Sequence, residues 1–270
     1  MSPPQPQPPP RNILRAFGVG EPPRRLAGGQ GTSWIAGELV FKPGSGPLQE
    51  WLATALGDIP LEGLRVATPV RCQHGDWICD GWTATHWVDG TQPDYSAEST
   101  WSDILTAGRA FHRALATLDR PTFMDARHDW WAQADRIAWN DRPDQFHPEF
   151  ADTARRLQAA LEPLGSSQIV HADLTTNVLF APGQTPAIID VSPYWRPTAY
   201  AEGVVMADAL CWHGAPASLV TSLGVPVPAV ARALLFRMAT TNEMLASRSP
   251  VVDLHDEAQR YRRATTALGL

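Results

Sequence analysis

The chain has 270 residues, 44% of them hydrophobic, which is enough to bury a real core and excludes global disorder. Lys+Arg number 22 against Asp+Glu 28, and a net charge of -6 argues against the basic surface that a nucleic-acid partner requires. Cys72, Cys79 and Cys211 make an odd count without C-x-x-C spacing. They fit neither a disulfide framework nor a zinc site, and read as free thiols of a reducing cytoplasm. No signal peptide and no run of about 18 apolar residues is present, so no membrane segment is expected.

Residues 1–10 are too rich in proline to pack and read as a solvated, polyproline-like tail. From Arg25 to Lys42 the pattern is a β-hairpin running into a further strand, with a turn at Gly37-Glu38 and a buried run Leu39-Val40-Phe41. Pro47 suits the first position of a helix whose apolar face is Leu48, Trp51, Leu52, Ala55 and Leu56. Two more strand-like runs follow, around Val66–Cys72 and Trp77–Val88. The composition then changes. Ile104, Leu105, Gly108, Phe111, Leu115 and Leu118 line one helix face, and a second helix is expected near Ala151–Leu161. Three short apolar runs come next, Gln168–His171, Val178–Phe180 and Ala187–Val191, with Pro182-Gly183 as a hairpin signal between the last two. From about Ala199 the chain reads mostly as helix.

Several residues in this layout carry chemistry. Gly28, Gly29, Gly31, Thr32 and Ser33 form a loop that could let backbone N–H groups approach phosphate oxygens, or could be glycines of an ordinary hairpin turn. No G-K-[ST] follows, so it is not a Walker A loop. Lys42, the one lysine of the chain, ends a buried strand and is placed to pair the phosphates of a nucleotide. Glu50 either orients Lys42 or is a solvated carboxylate in the first turn of its helix, favoured there by the dipole. The central segment runs from Ile169 to Phe180 and joins two β-runs through a polar loop holding His171, Asp173 and Asn177. Asp190 ends the third β-run. Phosphoryl transfer needs such a set: one carboxylate at the acceptor hydroxyl, and an amide oxygen with a second carboxylate for magnesium.

The His171-Ala172-Asp173 triplet, the following Asn177 and the later Asp190 resemble the aminoglycoside phosphotransferase and choline-kinase-like family of small-molecule kinases. The resemblance spans roughly Leu26 to Asp208. It implies an α+β, protein-kinase-like two-lobed fold: a small antiparallel-sheet lobe with one helix, then a larger, mainly helical lobe. The implied division is a tail at 1–10, a nucleotide-binding lobe at 11–88 and a catalytic and substrate lobe at 89–270. The implied activity is transfer of the ATP γ-phosphate to a hydroxyl of a small molecule, with Mg2+. The implied roles are Asp173 as catalytic base, Asn177 and Asp190 as metal ligands, His171 as a loop-fixing residue, and the backbone of Trp87 and Val88 as the adenine-binding hinge. Ala172 replaces a glycine of the pattern, and Asp173 to Asn177 is one residue shorter than the template, so this loop must re-form to place Asn177. A regulatory, nucleotide-binding pseudokinase is the alternative that the short loop raises. For the acceptor, Asp125, His128, Asp129, Trp130, Trp131 and Asp135 are one candidate region and Tyr194–Pro197 a second.

Overall fold

A computed structural model describes residues 7–27, 31–44, 46–59, 61–143, 146–247 and 252–270. In chain order the elements begin with α1 (Arg11–Ala16), β1 (Arg24–Arg25), β2 (Trp34–Ala36), β3 (Leu39–Pro43), α2 (Pro47–Asp58), β4 (Arg65–Val66), β5 (Pro69–Val70) and β6 (Trp82–His86). They continue with α3 (Glu98–Leu115), α4 (Trp130–Ala138), α5 (Ala151–Ala159), β7 (Gln168–His171), β8 (Val178–Leu179), β9 (Ala187–Ile188) and β10 (Pro193–Arg196). Four helices follow: α6 (Thr198–Trp212), α7 (Ser218–Ser222), α8 (Val227–Ala246) and α9 (Leu254–Ala267). Among the described residues no helix is long and apolar enough to cross a membrane.

The chain divides into two compact units. The first runs to Thr91 and takes in Leu179–Asp190; the second comprises Gln92–Val178 and Val191–Leu270. The first holds an antiparallel five-stranded sheet in the order β1-β2-β3-β6-β5. The β2–β3 hairpin turns at Gly37-Glu38, with Ala36 opposite Leu39 and Trp34 opposite Phe41. Side chains alternate along β3, so Leu39 and Phe41 go into the core while Lys42 falls on the other face. That core also contains Ile13, Leu14 and Phe17, the last meeting Phe41 edge-on at 5.6 Å. The expected lobe had one helix; α1 is a second, short helix that closes the sheet face. Its start is Pro10, whose carbonyl accepts from the Ile13 and Leu14 amides. The proline-rich stretch is therefore not solvated throughout: Pro9, inside the expected tail, is buried.

Leu179–Asp190 belongs to the first unit because β9 pairs in parallel with β4, Arg65 opposite Ala187 and Val66 opposite Ile188. Arg65 reinforces the pairing, donating to the carbonyls of Thr185 (2.9 Å) and Asp89 (2.8 Å). No run of neighbouring residues in the sequence announces this, since the pairing is long-range.

The second unit is mainly helical, around the two-stranded antiparallel ribbon of β7 and β10. Tyr194, Trp195 and Arg196, part of the second candidate acceptor region, form β10 because they complete the hydrogen bonds of β7, with Tyr194 opposite Val170. In α3, Trp101, Ile104, Leu105, Phe111 and Leu115 are buried at helical spacing. The α6 helix is apolar nearly all round and is buried against α8. At their crossing a Cβ on Gly203 would stand 2.4 Å from the Ala229 carbonyl oxygen, so only glycine permits this approach.

Candidate active site

In the second unit the loop after β7 is fixed from several sides. His171 is fully buried, and its amide donates to His112 Nε2 on α3 at 3.0 Å. Its own Nδ1 accepts from the amides of Asp173 and Ser192, both at 3.3 Å. Burial, with His171 as the second cause, pushes the His112 pKa down to about 3, so this ring is neutral near pH 7. With Nε2 accepting, its proton resides on Nδ1, which has no partner among the described residues. Leu174 inserts against α3 at Gly108, where a Cβ would lie 2.5 Å from Leu174 Cδ1.

The short loop closes as a turn, the Asn177 amide donating to the Leu174 carbonyl at 2.9 Å. Asn177 Nδ2 donates to the Asp173 carbonyl (2.7 Å) and to Asp173 Oδ2 (3.3 Å), which leaves its Oδ1 as the acceptor end. Ala172 is not among the residues with positive φ, so its backbone has no need of the glycine usual in the pattern.

The Asp173 carboxylate, 42% exposed, meets Arg237 of α8: Nη2 to Oδ1 is 2.8 Å. Arg237 also grips the buried Asp208 of α6, through Nε to Oδ1 at 2.8 Å and Nη2 to Oδ2 at 2.6 Å. Thr175 Oγ1 donates to the same Asp208 Oδ2 at 2.8 Å. Tyr95 donates to the Thr175 carbonyl (2.6 Å) and Gln92 to that of Thr176 (3.1 Å). Burial works to raise the Asp173 pKa, but the charge and hydrogen bond of Arg237, with His171 and Asn177, outweigh it and hold the carboxyl below the ordinary aspartate range. Asp173 is therefore an ionised, oriented carboxylate near neutral pH.

In the first unit Lys42 Nζ pairs with Asp190 Oδ1 at 2.8 Å. Asp190 has φ 52°, a left-handed backbone uncommon outside glycine and asparagine and concentrated at functional positions. Glu50, expected as a possible partner of Lys42, is exposed in the first turn of α2, and its carboxylate has no ion pair among the described residues. The geometry of α2 gives the reason: Glu50 lies away from the apolar stripe that faces the sheet. Gly31 has φ 66° and its carbonyl accepts from Arg25 Nε at 2.8 Å, while Thr32 and Ser33 are half-buried beside it. Gly28 and Gly29 lie outside the described residues. In the segment expected as a hinge, the Trp87 amide is spent on the Glu38 carbonyl at 2.8 Å, which removes that N–H as an adenine donor. Val88 has neither its N–H nor its carbonyl engaged among the described residues.

The acidic and aromatic region expected to hold an acceptor has no idle carboxylate. Asp125 is bonded by Arg120, Asp129 by Arg127 and Asp135 by Arg196. Asp129 also caps α4, accepting from the Ala132 amide at 3.0 Å. Among the described residues no three His, Cys, Asp or Glu side chains gather as a metal site, and the thiols are free.

Arg237, Asp208, Thr175 and Tyr95 were not expected from the sequence. A signal existed: Asp208 and Arg237 are charges set within apolar helical runs, and a charge buried there needs polar or oppositely charged groups around it.

The model of a phosphotransferase enzyme family matches residues 48–191, more than half of the 270-residue chain. No protein of curated function matches the chain by sequence. Among solved structures, an aminoglycoside phosphotransferase from Alicyclobacillus acidocaldarius aligns at 16% identity with a TM-score of 0.59, covering 97% of this chain and 94% of the other. A choline/ethanolamine kinase family protein from Mesorhizobium loti aligns at 19% identity and TM-score 0.58, covering 94% and 90%. A thermostable mutant of an aminoglycoside phosphotransferase, in ternary complex with ADP and hygromycin B, aligns at 14% identity and TM-score 0.58, covering 95% and 96%. At these identities the likeness is one of fold: an antiparallel N-terminal sheet and a mainly helical remainder, as expected.

Proposed function

The chain belongs to the phosphotransferase enzyme family, and from that premise we propose that it is a small-molecule kinase moving the γ-phosphate of ATP to a hydroxyl. The observation that carries this reading is Asp173. It is ionised, held by Arg237 and Asn177, and still 42% exposed, so it can meet an acceptor. As the new oxygen–phosphorus bond forms, Asp173 accepts the proton leaving the hydroxyl, an effect worth about 10²–10⁴-fold in rate.

Lys42 is assigned to the nucleotide phosphates. Its single bond to the exposed Asp190 is of the kind that a phosphate oxygen can replace. Asn177 and Asp190 offer an amide oxygen and a carboxylate, the hard donors magnesium prefers, and these residues would hold it. When bound, magnesium supplies charge neutralisation at the phosphates. Val88 takes the adenine-reading role in the hinge, and Gly28, Gly29, Gly31, Thr32 and Ser33 the phosphate-covering one. The arginine pairing of the less exposed Asp129 and Asp135 argues against that region as the seat of a polycationic acceptor.

Two variants test this. Asp173→Asn abolishes transfer while calorimetry shows MgATP binding retained; turnover near the wild-type rate removes Asp173 as the base. Asp190→Ala weakens magnesium-dependent ATP binding, and absence of any ATP binding to the wild type at millimolar concentration ends the kinase reading.

A further inference from the structure

Resting on that reading, we propose that Arg237, with Asp208 as its counter-ion, is the positioning residue that fixes the Asp173 carboxylate for phosphotransfer. Neither residue belongs to the His-x-Asp, Asn and Asp pattern in the sequence.

The geometry separates what burial requires from what it does not. Asp208 is 8% exposed and Arg237 14%, and the fork of Nε and Nη2 on both oxygens of Asp208 satisfies that pair by itself. Asp173, at 42% exposed, keeps a solvated side, so it depends on Arg237 less than the more deeply buried Asp208 does. The third contact, Nη2 to Asp173 Oδ1 at 2.8 Å, therefore adds orientation to a guanidinium already anchored. Anchoring is what makes it useful. An unanchored arginine would follow the carboxylate, whereas this one is held by α6 and its own helix.

The same Asp208 oxygen that receives Arg237 Nη2 also receives Thr175 Oγ1. Asp173 and Thr175 are thus tied to one ion pair, two residues apart, in a loop one residue shorter than the template. Tyr95 and Gln92 hold the Thr175 and Thr176 carbonyls of this turn. A catalytic group must sit within about 0.5 Å of its productive place, and a 1 Å error costs on the order of 10²-fold. The clamp on Asp173 and Thr175 is the part of the structure that meets this tolerance.

The test uses the full chain carrying Arg237→Met with Asp208→Asn, a double change that removes both buried charges and leaves Thr175 a partner. Melting temperature shows that the double variant folds. Its kcat for phosphotransfer, or for ATP hydrolysis with water as acceptor, falls about 10²-fold. The KM and calorimetric affinity for MgATP stay within about two-fold, and amide exchange at Leu174–Asn177 quickens about tenfold. Arg237→Lys, which keeps the charge but loses the fork, recovers part of kcat. Unchanged kcat and exchange overturn the proposal, as does a loss of kcat matched by an equal loss of nucleotide affinity and melting temperature. If the wild type transfers phosphate to nothing, the kinase reading fails by itself and exchange still decides: quickening keeps Arg237 as the residue that fixes Asp173, and no change overturns it.

Discussion

The first unit joins Lys42 to Asp190 by one bond between side chains that are 35% and 54% exposed. The second joins Arg237 to Asp208 by a fork between side chains that are 14% and 8% exposed, with Asp173 attached to its edge. The first pair is screened by water and holds its partners weakly, which suits groups that must release one another when a ligand arrives. The second is desolvated, so its geometry is rigid and its loss is costly. On the proposed roles, placing a base needs the second kind and receiving a nucleotide the first.

The largest expected effect breaks the comparison at its strong end. Arg237→Met alone leaves Asp208 buried without a counter-charge, and urea denaturation should show a loss of about 3–5 kcal/mol. A loss near that of an exposed pair would mean that water reaches Asp208. Gly203→Ala attacks the same pair from behind, by pushing α6 off α8 where a Cβ has no room. We expect about 1–3 kcal/mol from overpacking, with kcat lowered as Asp208 moves; unchanged melting would show that the helices yield freely.

A pH experiment sharpens the contrast further. Unfolded histidine takes up its proton near pH 6.5, whereas burial keeps His112 neutral down to about pH 3. The unfolded state binds the extra proton between those values, so stability present above pH 6.5 is lost as pH falls through this window. By pH 5 the loss is about 2 kcal/mol, and His112→Gln should flatten that part of the stability curve. An unaltered slope in the variant would assign the dependence to other groups. The smallest effect is at the weak end: Lys42→Met changes stability by less than about 1 kcal/mol while weakening MgATP binding in calorimetry.

Within the candidate site, what could be read from the residues alone follows how local each feature is. His171, Asp173 and Asn177 share one loop, so their spacing is visible in the sequence, and Lys42 is visible because strand alternation and a lone lysine mark it. The partner of Lys42 was not visible. Glu50 is near it in sequence, but Asp190 reaches it in space because β9 pairs with β4 far along the chain. Likewise α1 carries no capping signal, and only the open face of the sheet explains its burial. The Trp87 amide was lost to Glu38 through the register of β6 against β3, which no spacing rule reports.

By itself, then, the sequence determined the phosphotransferase family, the loop that brings His171, Asp173 and Asn177 together, and a β-rich part followed by a helical one. Periodicity and short-range spacing carry that information through local sterics and hydrogen bonding. Only the tertiary structure decided which charges meet. Arg237 and Asp208 come together because α6 and α8 cross at Gly203, and burial there makes pairing with the opposite charge the favourable arrangement.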